Sequence, residues 1–379
     1  MATQNPRPAS PRPDDGHKTP SDRARCPVFV IGCHRSGTNL LYDMLLSAGG
    51  FPIYRGSLPV YETLIPKFGS MARRSNREKL FRTWLRSKGF RRTNLDAAHF
   101  SKRILDDSRN GGDLIRAVLD TVAESQGVHR WALYDPDNVL HIERLKAAIP
   151  NALFLHIIRD GRDIALSLKK MGGFTPLPWD RTETKSLVAT ALYWEWMVRS
   201  GRHYGSQIPA DYLEIHYEDL TTHPRETLNK LGKFLDHDLD YDRIQNAGLG
   251  RLSETNSSFR EEAAGSEKLN PLGRWKSRLA RTDVAAIEAA VGKCLEETGY
   301  TLSLPEAERT PGINDWANRE LYRTFLNTKM WLKLNTPAGR RANLSVLQLQ
   351  NEDGPTPASN PASSEHHESV DEYNDSVTR

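Results

Sequence analysis

The segment Cys26–Gly50 reads C-P-V-F-V-I-G-C-H-R-S-G-T-N-L-L-Y-D-M-L-L-S-A-G-G. Val28 to Ile31 is a short apolar, β-branched run bounded by Pro27 and Gly32, the pattern of a parallel strand buried on both faces. Leu40, Leu41, Met44, Leu45 and Ala48 then recur at helical spacing until Gly49 and Gly50 end the helix. Between the two lies Gly32 to Asn39, G-C-H-R-S-G-T-N. Strand, glycine-bracketed loop and helix make a phosphate cradle. Backbone N–H groups of such a loop turn inward and the helix N-terminus adds partial positive charge, so the site favours a multiply charged anion.

The spacing of Gly32 and Gly37 is that of a Walker A loop, but Thr38-Asn39 stands where Lys-Ser/Thr belongs, and the cation has moved to Arg35. Ordinary ATP hydrolysis would thereby lose its Lys and its Mg²⁺-binding hydroxyl. What remains suits an oxyanion that needs no metal, met by a planar guanidinium with five donors. Read alone, the same residues also describe a tight strand-to-helix turn with an exposed arginine.

The chain of 379 residues is long enough for one large α/β domain or two small ones, and its formal net charge of +4 gives no global pointer to nucleic acid. Cys26, Cys33 and Cys294 make no even framework and no metal-ligand spacing, so a reducing compartment is expected. Residues 1–25 are rich in Pro, Arg, Asp and Ser without an apolar core, and read as a disordered tail rather than a signal peptide. The acidic, hydrophobic-poor stretch 351–379 is expected to be disordered too. With no apolar run long enough to span a bilayer, the expectation is a soluble, cytoplasmic protein.

Pro52, Pro59 and Pro66 exclude a long regular element between Phe51 and Phe68, where Glu62 is a lone carboxylate among apolar neighbours. From Lys67 to Arg103 the chain is strongly basic, with Leu80, Phe81, Trp84 and Leu85 at helical spacing, so a helical insert is expected over about 67–130. Its charge is either a solvated face or a lid over an acidic ligand. A helix over Val139–Ala148 leads into Leu153–Ile158, L-F-L-H-I-I, a second buried strand, followed at once by R-D-G-R-D-I-A-L-S-L and an amphipathic helix. These units predict a doubly wound parallel α/β sheet whose ligands bind at the carboxyl ends of strands. Arg159 stands at such an end, and Ser167 lies eight residues on, roughly 12 Å at ~1.5 Å per residue, so the two could grip one oxyanion. Lys185–Tyr204 reads as a core helix, Tyr212–Tyr217 as a third strand, Thr222–Leu235 as an amphipathic helix, and Asp283–Thr298 as the final helix. A polar surface segment before that helix carries Arg274, Trp275 and Lys276.

Four motifs in order, G-C-H-R-S-G-T-N-L-L, I-I-R-D-G-R-D-I-A-L-S-L, H-Y-E-D-L and L-G-R-W-K, resemble the sulfotransferase superfamily that uses 3′-phosphoadenosine 5′-phosphosulfate (PAPS). The R-S-G-T loop is most similar to the tyrosylprotein and bacterial branch, and the resemblance runs from about Pro27 to Tyr300 within an expected domain 26–345. It implies a P-loop-like fold in which Arg35, Ser36, Gly37, Thr38 and Asn39 hold the 5′-phosphosulfate, with Arg35 stabilising charge during transfer. Arg159 and Ser167 would hold the 3′-phosphate, Tyr217 would contact the adenine, and Arg274, Trp275 and Lys276 would close over the nucleotide. In Y-E-T-L-I-P, Tyr61 to Pro66, the resemblance makes Glu62 the catalytic base that takes the acceptor proton during in-line transfer.

Two departures stand out. The branch carries a Lys before Asp-Pro, where this chain has Tyr134 before Asp135-Pro136, so a cation from the basic insert could replace it, Arg35 could act alone, or the catalyst could be weaker or altered. The expected absence of an anchor and of disulfides points to a small-molecule, glycan or lipid-precursor acceptor rather than a secreted protein. A P-loop kinase or NTPase, and a non-catalytic nucleotide-binding module, are the competing readings. No nucleic-acid partner is expected, since aromatic residues are thin in the basic insert.

Overall fold

The computed structural model describes residues 20–98, 100, 107–171, 186–250, 252, 272–309 and 313–349. Four strands, β1 (Val28–Gly32), β2 (Ala132–Tyr134), β3 (Leu153–Ile158) and β4 (Tyr212–His216), form one parallel sheet in the order β2-β1-β3-β4. Val28 pairs with Ala132 on one side and Leu153 on the other, and Ile158 pairs with His216 at the far edge. β1 and β3 are buried at every position, as their apolar runs, interrupted in β3 by His156, require.

Within each central strand the side chains alternate between two cores. Phe29, Ile31, Phe154 and Ile158 face one cluster, in which the rings of Phe29 and Phe154 stack 5.4 Å apart. Val28, Val30, Leu155 and Ile157 face the other. This period of two is what a sheet covered by helices on both faces demands. The helices that matter below are α1 (Thr38–Ser47), α2 (Arg74–Leu85), α3 (Gly111–Ser125), α4 (Ile142–Ala148), α5 (Gly161–Lys170), α6 (Leu187–Gly205), α7 (Tyr217–Thr222), α8 (Pro224–Leu235), α9 (Arg281–Glu297) and α10 (Ile313–Asn335). Leu41, Met44 and Leu45 of α1 join Leu228 and Leu231 of α8 in the second cluster, while α3, α6 and α9 pack on the first.

Several elements differ from the sequence reading. β2 is a three-residue strand without a readable alternation. The proline-rich stretch holds a single π-helical turn, Val60–Leu64, running into a short α-helical turn, Ile65–Phe68. The helix expected from Val139 is split, with a 3₁₀ turn over Pro136–Leu140 preceding α4. Tyr217 opens α7 instead of closing β4. Among the described residues a further α-helix, α10, follows α9, where the sequence reading expects none. Of the expected tails, residues 1–19 and 350–379 lie outside the described residues, while Pro20–Arg23 forms a helical turn whose Arg23 Nε donates to Phe234 O at 2.9 Å.

The basic insert is helical, and Leu80, Phe81 and Trp84 are buried. Its arginines also serve as structural donors. Arg77 is buried and donates to Met71 O at 2.7 Å, and Arg92 donates to Arg55 O at 2.6 Å. Lys102 and Arg103 lie outside the described residues. No described helix is long and apolar enough to cross a membrane.

Candidate active site

The connections after β1 and β3 leave toward opposite edges of the sheet, so the crevice at their carboxyl ends is the topological switch point. At Gly32 a β-carbon would stand 2.5 Å from Ile157 O, so β1 can pass β3 this closely only with glycine. The loop that follows is wound in the left-handed region at Arg35 (φ 71°) and Gly37 (φ 97°). Gly37 caps α1 without any side-chain bond to the helix N-terminus, which leaves its first N–H groups facing the loop. Thr38 is buried and Asn39 half-buried at the same helix start. Ser36 is 1% exposed, and its hydroxyl has no partner among the described residues. An anion oxygen is the partner that such a buried donor among inward amides would fit.

Arg35 and Arg159 close this cradle from two strands. Arg35 Nε donates to Ser167 Oγ on α5 at 3.1 Å. Arg159, 2% exposed, donates from Nη1 to Arg35 O at 3.3 Å, stacks 4.4 Å above the Tyr217 ring and faces Asp163 at 3.7 Å. Burial pushes the Tyr217 phenol above its ordinary value, while Arg159 and Arg274 pull the other way. Arg35, Arg159, Ser167, Tyr217 and Arg274 thus share one corner. The sequence reading has Arg159 and Ser167 grip one oxyanion between them; in this structure Ser167 also accepts from Arg35.

The segment with Arg274, Trp275 and Lys276 is not the surface element the sequence suggested. Arg274 and Trp275 are buried, and Lys276 is exposed. Asp163 explains this, because its carboxylate accepts from Gly273 N at 2.9 Å and Trp275 N at 3.0 Å. Asp160, which caps α5, accepts from Trp275 Nε1 at 3.2 Å, and Arg162 stacks 3.9 Å from the indole. Two aspartates in the first turn of α5 therefore draw the late segment onto the Arg159 corner.

Glu62 lies in a second polar cluster beside the loop. Its Oε2 meets His141 Nε2 at 3.2 Å, and its Oε1 accepts from Lys333 of α10. Next to them His34, which precedes Arg35, bonds Asp137 at 3.2 Å. Burial acts to raise the Asp137 carboxyl, but His34 outweighs it, with Lys333 and His141 pulling in the same direction, so it lies below its usual value. Asp135 goes the other way: burial and then Asp137 lift it to about 7. Tyr134 packs against Tyr42 at 4.8 Å, and burial holds its phenol up at about 12. The cation found at Glu62 comes from α10. His34 and Asp137 were visible in the motifs but unassigned. Lys333 had no local signal at all.

The sheet order and the loop after β1 define an α/β protein of the P-loop-like, doubly wound class. Residues 27–241 match the model described as "Sulfotransferase family", more than half of the 379-residue chain. The chain belongs to the sulfotransferase family. It is 30% identical over 95 residues to mouse Sulfotransferase 1B1, covering 24% of this chain and 32% of that protein. It is 23% identical over 157 residues to a putative protein-tyrosine sulfotransferase of Caenorhabditis elegans, covering 41% of this chain and 56% of that one. The matches thus span about a third and just over half of these curated relatives. Among solved structures, the sulfotransferase domain from the curacin biosynthetic pathway aligns with a TM-score of 0.48 at 16% identity, over 73% of this chain and 99% of that one.

Proposed function

We propose that this protein moves a sulfuryl group from PAPS to an acceptor hydroxyl or amine, and that residues 26–345 form the catalytic domain. The observation that carries this reading is the convergence of a buried, unpartnered Ser36 hydroxyl, Arg35 and the Arg159–Tyr217 stack at the switch point. A 3′,5′-phosphorylated nucleotide is the ligand that would use both halves of the site. Ser36, Gly37, Thr38 and Asn39 would bind its 5′ end through inward amides and hydroxyls. Arg159 and Ser167 would bind the 3′-phosphate, Tyr217 the adenine, and Arg274, Trp275 and Lys276 would cover the nucleotide.

When bound, PAPS supplies an activated S–O bond, and the protein's own groups do the rest. Arg35 would stabilise negative charge on the sulfuryl and bridging oxygens, a preorganised cation in a water-poor corner. Glu62 would take the acceptor proton as the new S–O bond (S–N for an amine) forms and the S–O bond to the 5′-phosphate breaks, releasing adenosine 3′,5′-bisphosphate. The acceptor class fitting this reading is a small molecule, glycan or lipid precursor, with the protein working in the cytoplasm. Incubation with radiolabelled PAPS and a panel of phenols, saccharides and amines tests the proposal. Labelled product from the wild-type protein and none from Arg35→Ala is the expected outcome. A panel left unlabelled by the wild-type protein, while it binds the nucleotide, would point to the non-catalytic module instead.

A further inference from the structure

Glu62 is held at both carboxylate oxygens, and one holder comes from 271 residues away in sequence. Lys333 reaches it because α10 is fixed at both ends. Toward its start, Arg319 and Arg323 converge on Glu195 Oε1 of α6 at 3.2 and 3.0 Å, on a carboxylate side chain only 1% exposed. Tyr322 and Leu326 are buried between the two helices' layers. At its end the chain turns through Pro337–Arg341, where a β-carbon on Gly339 would stand 2.2 Å from Lys333 O and 2.9 Å from Pro66 O. Lys67 Nζ donates to Ala342 O at 3.0 Å. The end of α10 is therefore seated on the residues that directly follow Glu62.

Glu62 needs such support. It stands in a single π-helical turn between Pro59 and Pro66, with no long helix to steady it. A carboxylate has about four lone-pair sites, so two anchors still leave acceptor capacity on its open side, where the side chain is 20% exposed. Asp135 and Asp137 set further carboxyls nearby, and the Lys333 ammonium favours the charged form of Asp137.

We infer that Lys333 is a positioning residue of the sulfuryl-transfer site, holding the Glu62 carboxylate, together with His141, in the orientation from which it takes the acceptor proton. This rests on the reading of Glu62 as the base. The test is a double-mutant cycle on turnover of radiolabelled PAPS with the best acceptor of the panel, using Lys333→Met, Lys333→Arg, Glu62→Gln and the Glu62→Gln/Lys333→Met pair. Misplacing a reacting group by about 1 Å costs on the order of 100-fold, so Lys333→Met is expected to lower kcat by about that much. Affinity for adenosine 3′,5′-bisphosphate should stay unchanged, Lys333→Arg should restore most of the rate, and Lys333→Met should cost nothing further once Glu62 is Gln. Full kcat in Lys333→Met beside an inactive Arg35→Ala overturns the Lys333 role alone. So does a Lys333→Met loss that persists in the Glu62→Gln background, or one matched by lost nucleotide affinity, either of which marks a general structural effect. Absence of transfer in the wild-type protein overturns the transfer reading, and the Lys333 role with it.

Discussion

Gly37→Ala puts the loop geometry itself at stake. The added β-carbon would stand 2.4 Å from Tyr217 Cδ2 and 2.8 Å from Cε2, on a residue with φ +97°. The left-handed region costs a non-glycine residue ~1–2 kcal/mol. Overpacking a closed contact costs ~1–3 kcal/mol more. The ring cannot simply swing aside, since Arg159 is stacked 4.4 Å from it. Either the loop lifts away from Tyr217 or the ring presses into Arg159, and both disturb the cradle. A total of about 2–5 kcal/mol is small enough for a domain with ~5–15 kcal/mol of stability to remain folded. Strain that the free protein relieves by shifting the loop reappears when a ligand needs the loop back. Affinity for adenosine 3′,5′-bisphosphate should therefore fall about 30- to 4000-fold, since each ~1.4 kcal/mol is tenfold. Calorimetric titration reads the affinity, and differential scanning calorimetry reads what is left in the fold. Wild-type affinity together with a wild-type melting temperature would refute the argument.

Arg159→Ala should remove a charge-assisted contact worth ~1.5–3 kcal/mol and weaken the 3′,5′-bisphosphate roughly 10- to 100-fold while scarcely affecting adenosine 5′-phosphate; equal losses for both would reject the 3′-phosphate assignment. Asp163→Ala frees Gly273 N and Trp275 N, so trypsin should cut after Arg274 or Lys276 much faster than in the wild-type protein, and unchanged cleavage would show the segment is held otherwise. His156 is fully buried, and burial pushes its imidazole down to about 4 from an ordinary 6.5. Between these values the unfolded chain binds the proton and the folded one does not, so stability is lost as pH falls through that window. The loss amounts to about 3 kcal/mol at ~1.36 kcal/mol per pH unit. In His156→Gln the urea midpoint should change much less between pH 7 and pH 4.5; the same acid sensitivity in the variant would assign it to other groups.

The parts of this protein that sequence revealed are those with local physical signatures. β1 and β3 are largely apolar runs buried on both faces, and the loop between β1 and α1 declares itself through Gly32 and Gly37. α5 begins at the Asp160 cap, as its sequence announces. What stayed hidden depends on distant partners. β2 has three residues and exists because Val28 to Val30 pair with it. Arg274 and Trp275 looked like a surface pair because Asp160 and Asp163, which bury them, lie more than a hundred residues earlier. α10 carries a charged stretch whose Arg319 and Arg323 pair with Glu195 of another helix, and its apolar stripe of Tyr322 and Leu326 is short and easily missed. Glu62 could be singled out by resemblance, but neither His141 nor Lys333 could be attached to it from spacing.

The most direct test of the account is a calorimetric titration of the wild-type protein with adenosine 3′,5′-bisphosphate, run beside ATP with Mg²⁺. The account predicts tight binding of the bisphosphate without metal, weakened roughly 10- to 100-fold in Arg159→Ala, and little binding of Mg-ATP. Preference for Mg-ATP, with the bisphosphate bound weakly or only in the presence of Mg²⁺, would contradict it and return the Arg35 loop to the kinase reading.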